Sequence, residues 1–226
     1  MRISVALISF LIFLSTTARG GEVELARSEP IKMKGDFENA SFSWEIGSNN
    51  YELRSDGLLQ MRQSQRKIRL PLGRGMLGLG LNFVKGVQND LVLGYGTDNG
   101  EAGTSYVCRI RGDLLSIRWC KNIGNINLDI SVSDDSVWVG AVGFAARMNI
   151  NNGKYVWRHD DLYKLENGTD SFVITCPVLE DETTVTFYGQ DTNNRNNQQL
   201  KVERNSGSII EIARIEDRYA CSSRQH

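Results

Sequence analysis

Arg147-Met148-Asn149-Ile150-Asn151-Asn152-Gly153-Lys154-Tyr155-Val156-Trp157-Arg158 decides the fold. Ala146 and Met148 alternate with polar neighbours, Asn151-Asn152-Gly153 interrupts the run, and Tyr155 and Trp157 alternate again. Side chains on a strand point to opposite faces with period two, so alternation on both sides of a fixed loop is the pattern of a half-buried β-hairpin. Asn and Gly suit the loop because they tolerate positive φ or build side-chain turns.

The same spacing recurs at Leu59/Met61 with Ile68/Leu70, Cys108/Ile110 with Ile117/Trp119, and Leu200/Val202 with Ile209/Glu211. The residues in between, Gln60, Arg109, Arg147 and Lys201, are polar or basic in every copy, which predicts one buried face and one wet face. Arg111-Gly112-Asp113 and Asn205-Ser206-Gly207 supply turns, whereas Arg62 to Lys67 lacks glycine. The last positions of the four copies, 70, 119, 157 and 211, lie 49, 38 and 54 residues apart, bracketing the period of four-stranded propeller blades.

Each interval has room for two further strands. Gly80 to Val84 and Leu91 to Tyr95 precede the second hairpin, Leu128 to Val132 and Val137 to Val139 the third, Phe172 to Thr175 and Thr184 to Tyr188 the fourth, and the first unit begins near Ser41. A lone hairpin is marginal in water, and stacking such units buries their faces. The expected fold is all-β, a small or partial β-propeller of about four four-stranded blades, with a β-sandwich of the same hairpins as the alternative. Trp119 and Trp157 fall on the inward parity and read as core.

The Arg147 to Arg158 segment resembles the hairpin of the quinoprotein-type (PQQ-like) β-propeller repeat, in which a Gly-containing turn leads into a strand ending in tryptophan. Ile110 to Trp119 is similar but carries leucine where the glycine should be, and the other copies keep the spacing without the tryptophan. The resemblance covers half the mature chain and implies fold rather than chemistry. Enzymes of that family hold their quinone with a vicinal disulfide and a calcium-coordinating set. No two cysteines are adjacent here, so no cofactor is expected. Relatives also include non-catalytic propellers that scaffold envelope machinery, usually with a lipid anchor.

Residues 1–20 read as a secretory signal: Arg2, an apolar run from Ile3 to Leu14, and a small-x-small site at Ala18-Arg19-Gly20. The run is too short to span a bilayer, and no cysteine follows it to take a lipid, so a mature domain of residues 21–226 without a membrane anchor is expected, periplasmic or extracellular. Its 24 basic and 27 acidic residues give a net charge of −3 with both signs interspersed, which offers no basic stripe for nucleic acid.

Cys108, Cys120, Cys176 and Cys221 suggest two disulfides in an oxidising compartment. If Ile110 pairs with Ile117, Cys108 points inward and Cys120 outward. A Cys108–Cys120 bond would then cross the sheet, and each cysteine is expected to seek a more distant partner or Cys108 to remain a thiol. With no CxxC and only His159 and His226 as histidines, no metal site is expected.

Remaining motifs read as structural. Gly73-Arg74-Gly75-Met76-Leu77-Gly78 matches GxGxxG but lacks the following helix, so its glycines are expected at a turn or crowded blade junction. Arg111-Gly112-Asp113 is a hairpin loop, and Asp191-x-Asn193 lacks the glycine of a calcium loop. The longer connections, Thr97 to Thr104, Arg158 to Thr169 and Gln190 to Gln199, should open on one face, and Asp98, Asn99, Glu101, Asp160, Tyr163 and Arg195 are the candidate binding residues. The favoured function is a non-enzymatic exported module that binds a protein partner through that loop face. A periplasmic inhibitor or immunity protein is a variant of it, and a hydrolase or lyase acting on an extracellular polymer through Asp160, Asp161 or Glu101 is the enzymatic alternative.

Overall fold

A computed structural model describes residues 41–99, 102–124, 129–162, 172–191 and 196–215. They form four antiparallel sheets of four strands, each in sequential order. Blade 1 contains β1 (Ser41–Ile46), β2 (Asn49–Arg54), β3 (Leu58–Met61) and β4 (Arg66–Arg69). Blade 2 contains β5 (Gly78–Val87), β6 (Asp90–Asp98), β7 (Gly103–Arg111) and β8 (Ser116–Asn122). Blade 3 contains β9 (Asp129–Val132), β10 (Ser136–Ala141), β11 (Phe144–Asn149) and β12 (Tyr155–His159). Blade 4 contains β13 (Phe172–Glu180), β14 (Thr184–Asp191), β15 (Asn197–Glu203) and β16 (Ile209–Arg214). The fold is a partial β-propeller, and four separate sheets replace the two that a sandwich would need. No helix among the described residues is long and apolar enough to cross a membrane.

Three apolar clusters each straddle two consecutive blades. Leu53, Leu59 and Met61 of blade 1 meet Leu91, Leu93, Cys108 and Ile110 of blade 2. Val92 and Val107 of blade 2 meet Val137, Val139, Ala146 and Met148 of blade 3. Trp138, Ala145 and Trp157 of blade 3 meet Val185, Phe187, Leu200 and Val202 of blade 4. Among the described residues no cluster joins blade 4 to blade 1, so the cores follow an open arc.

Position in the arc explains the patterning of each blade. The central blades bury both faces, and β6 and β10 are accordingly buried along almost their whole length. The end blades bury one. Ser43, Glu52 and Gln60 oppose one another across blade 1 and turn away from blade 2. Thr186, Lys201 and Glu211 do the same on the far side of blade 4. Leu59 and Met61 thus face the following blade, whereas their counterparts Cys108/Ile110, Ala146/Met148 and Leu200/Val202 face the preceding one. With no described blade before it, blade 1 can bury its apolar residues only against blade 2.

A bulge in the outer hairpin of blades 2 to 4 corrects two sequence expectations, the pairing of the cysteines and the facing of the tryptophans. In blade 2, Ile110 pairs with Ile117 but Arg109 pairs with Trp119, so Arg118 is the extra residue. Blade 3 skips Val156 between the Met148–Tyr155 and Arg147–Trp157 pairs, and blade 4 skips Ile210 between Val202–Ile209 and Lys201–Glu211. One inserted residue inverts the facing of everything beyond it. Cys108 and Cys120 therefore lie directly opposite each other, with Cα atoms 4.1 Å apart, and form a disulfide within blade 2 instead of seeking distant partners. By the same inversion Trp119 and Trp157 leave the parity of Cys108 and Ala146 and share a face with Arg109 and Arg147.

That face is not wet, because the next blade covers it. Arg109 is 6% exposed and Arg147 is 8% exposed. Arg109 Nη1 donates to the Ile150 carbonyl (3.0 Å) and to Asn151 Oδ1 (2.9 Å), and Trp119 Nε1 donates to the same carbonyl (2.9 Å). One blade later, Arg147 Nη1 donates to the Arg204 carbonyl (3.1 Å) and Asn205 Oδ1 (3.0 Å), and Trp157 Nε1 to the Arg204 carbonyl (2.9 Å). The indoles lie so close to the receiving turns that a Cβ on Gly153 or Gly207 would stand 2.7 or 2.6 Å from a ring atom. Both glycines also have positive φ, +67° and +74°. Space and backbone conformation together require glycine there. The predicted interior placement of the tryptophans holds, but the interior is the junction between blades.

Candidate functional site

Strand direction divides the connections between two rims. The β3–β4, β7–β8, β11–β12 and β15–β16 turns lie on one rim, and the β6–β7 and β14–β15 connections and the links between blades lie on the other.

The β7–β8, β11–β12 and β15–β16 turns of the first rim are held by neighbouring blades. Besides Asn151, Gly153, Asn205 and Gly207, Gly112 donates its N–H to the Asn89 carbonyl (2.8 Å) and accepts from the Tyr51 hydroxyl (3.4 Å). Arg66 donates to the Asp113 carbonyl, and the Arg111 and Asp113 side chains pair at 3.2 Å. The Arg-Gly-Asp tripeptide is thus part of the blade 1–blade 2 junction. Asp135 gathers charge at the blade 3–blade 4 junction, 3.0 Å from Arg147 and 3.4 Å from Arg204. Its carboxyl is lowered from the usual range, first by the Ser136 hydroxyl and then by the two guanidinium groups. His159 Nε2 lies 2.7 Å from the Gly207 carbonyl and its ring packs near Trp157, which gives the internal histidine a role in holding blade 4.

The second rim carries the predicted binding residues that fall within the described parts of the chain. Asp98 ends β6, and its carbonyl accepts from Leu77 N (3.0 Å). Asn99 closes its own loop: its side-chain oxygen accepts from Ala102 N (2.8 Å), and its N–H donates to the Ala102 carbonyl (3.2 Å). Asp160 follows β12 and pairs with Arg158 at 2.9 Å, with both side chains more than half exposed. Glu101, Tyr163, Arg195 and Cys221, the Cys176 side chain and the signal segment lie outside the described residues. Fold topology therefore brings Asp98, Asn99 and Asp160 to one rim without placing them in one cleft.

Leu77, on the same rim, was not among the predicted residues. It is 73% exposed, an unusual position for a large aliphatic side chain beside a strand start. It follows the glycine-rich segment, where Met76 N bonds the Gly73 carbonyl (3.1 Å) and a tight turn leads straight into β5. The predicted turn is there, and it lifts Leu77 outward.

A shallow pocket of about 240 Å³ lies at the end of blade 1, lined by Ser43, Trp44, Glu45, Asn50, Tyr51 and Arg62. Trp44 stacks on Tyr51 with ring centroids 5.9 Å apart, and burial raises the Tyr51 hydroxyl above its ordinary value. Among the described residues no group of three or more His, Cys, Asp or Glu side chains could hold a metal ion.

No protein-family model matches the chain, and no curated protein sequence matches it. Among solved structures the chain is similar to BamB from Moraxella catarrhalis, with 15% sequence identity and a TM-score of 0.49. The match covers 78% of this chain and 50% of that one, so the chain spans about half the length of that structure.

Proposed function

We propose that the chain is an exported, non-enzymatic scaffold that binds a protein partner through the rim carrying Leu77, Asp98 and Asp160. The observation that carries this reading is the division of labour between rims. The β7–β8, β11–β12 and β15–β16 turns on one side are consumed by blade docking, while the other side leaves Leu77 73% exposed on the rim that also holds Asp98 and Asp160. Protein-binding surfaces combine an apolar centre with a polar rim, and Leu77 with Asp98 and Asp160 puts both chemistries on one side of the fold. Export is supported by the signal-like residues 1–20 and by the Cys108–Cys120 disulfide, a bond that persists in oxidising compartments.

The test is affinity capture from an envelope or secretory fraction, using wild-type protein beside a Leu77→Glu/Asp160→Lys variant of unchanged melting temperature. A stoichiometric partner held by the wild type and lost by the variant is the expected result. Equal capture by both would remove this rim as the binding surface. If the captured partner is an enzyme whose activity falls on binding, the scaffold is an inhibitor.

A further inference from the structure

We propose that β4, the outer strand of blade 1, accepts an extended acidic peptide segment by strand addition, at a surface separate from the rim above and independent of it. Leu70 N donates to the Gly57 carbonyl (2.8 Å), which fixes the hydrogen-bonding phase of the hairpin. Hydrogen-bonded pairs alternate along an antiparallel ladder, so with Leu59 opposite Ile68 and Met61 opposite Arg66, residues 66 and 68 turn their backbone groups toward β3. Lys67 and Arg69 turn theirs outward, at the sheet edge. This is the template that strand addition uses.

Charge selects the occupant. Arg66, Lys67 and Arg69 are exposed on this strand, and no Asp or Glu occurs from Gly57 to Asn89, a stretch with six basic residues. Residues 41–89 hold seven basic and three acidic residues, whereas residues 90–226 hold 14 and 19. The predicted interspersion of signs therefore gives way to a basic first blade on an otherwise acidic chain. Arg66 and Arg69 each donate to a backbone carbonyl, of Asp113 and Asp56, which orients them while leaving both charged. Asp56 is the near carboxylate, shared between Arg54 at 3.1 Å and Arg69 at 3.9 Å.

The other outer strands differ. In β8, Arg118 is tied to Asp90 at 2.6 Å and Lys121 lies over the Tyr155 ring, while β16 carries Glu211 and Arg214 of opposite sign. Basic side chains on an edge repel like-charged strands and discourage indiscriminate pairing. An acidic strand meets no such barrier. Lys67 and Arg69 share the outward face and Ile68 the apolar one, so the complementary segment has acidic residues two apart with an apolar residue between them.

The probe is a fluorescein-labelled, end-blocked Glu-Val-Glu-Val-Glu-Val peptide, titrated with the mature protein and read by anisotropy. Lys67→Pro removes an outward N–H without touching the ladder to β3, whereas Lys67→Gln removes only the charge. Strand addition predicts that Lys67→Gln weakens binding about threefold and Lys67→Pro about tenfold or more. Equal effects of the two substitutions, or equal binding of a scrambled peptide of the same charge, would overturn it. A Lys67→Glu/Arg69→Glu protein, which keeps every backbone group, should lose this peptide and gain Lys-Val-Lys-Val-Lys-Val. Failure to exchange specificity would also sink the proposal, while the Leu77→Glu/Asp160→Lys variant should bind the probe like wild type.

Discussion

Gln65 and Leu115 adopt left-handed backbone, with φ of +56° and +47°, in hairpins whose counterparts in blades 3 and 4 carry glycine. A non-glycine residue there costs roughly 1–2 kcal/mol. Gln65 is exposed, so Gln65→Gly should raise stability by about 0.5 kcal/mol after the added freedom of the unfolded glycine is subtracted. Leu115 is in the core, and Leu115→Gly should destabilise despite relieving the same strain. Chemical denaturation of both variants checks the opposite signs. Asp181 offers a pH-dependent counterpart. Its carboxyl accepts from the Thr184 hydroxyl (2.5 Å) and from Thr184 N (2.6 Å) and Thr183 N (2.9 Å), which lowers it to about 2. Because the folded value lies below the unfolded one, its contribution is present above about pH 4 and is lost as pH falls toward 2. Carbon-detected NMR titration should place its midpoint near 2, and Asp181→Asn should flatten the stability profile across that window.

At the scale of elements, the arginine and tryptophan of one hairpin hold the turn of the next. Trp157→Ala should cost about 3–5 kcal/mol, measured by urea unfolding, because it empties the blade 3–blade 4 junction and removes the bond to Arg204. Replacing both Cys108 and Cys120 with serine should cost about 2–4 kcal/mol. The hairpins themselves were legible in the sequence: alternation, loop length and the Asn-Gly turns placed sixteen strands, and sixteen are found among the described residues. The facing of the outermost residues was not. Bulges at Arg118, Val156 and Ile210 insert a residue without a shared composition, so period-two counting carried the wrong parity past them and misread both the disulfide and the indole faces. The candidate rim was legible through connection lengths, which located Asp98, Asn99 and Asp160. Leu77 was not, because an apolar residue in sequence looks the same whether a turn buries it or lifts it out.

At the scale of the whole molecule, the described residues form a short array whose first and last blades turn polar faces outward, the arrangement that keeps repeat arrays from stacking on themselves. A chain ending at residue 162 would lay bare Trp138, Ala145 and Trp157, the blade 3 side of the last cluster. Light scattering should find that truncated protein self-associated and the protein of residues 21–226 free of such contacts. The grips between blades share one further property: in each, the arginine and the tryptophan converge on one main-chain acceptor, the carbonyl of Ile150 or Arg204, beside the asparagine side chain that follows it. Every amino acid supplies a carbonyl, so substitution at position 150 or 204 leaves the acceptor in place. Heredity can rewrite much of a receiving turn while the arc persists, and descendants of such a protein would keep its shape long after their sequences had ceased to resemble one another.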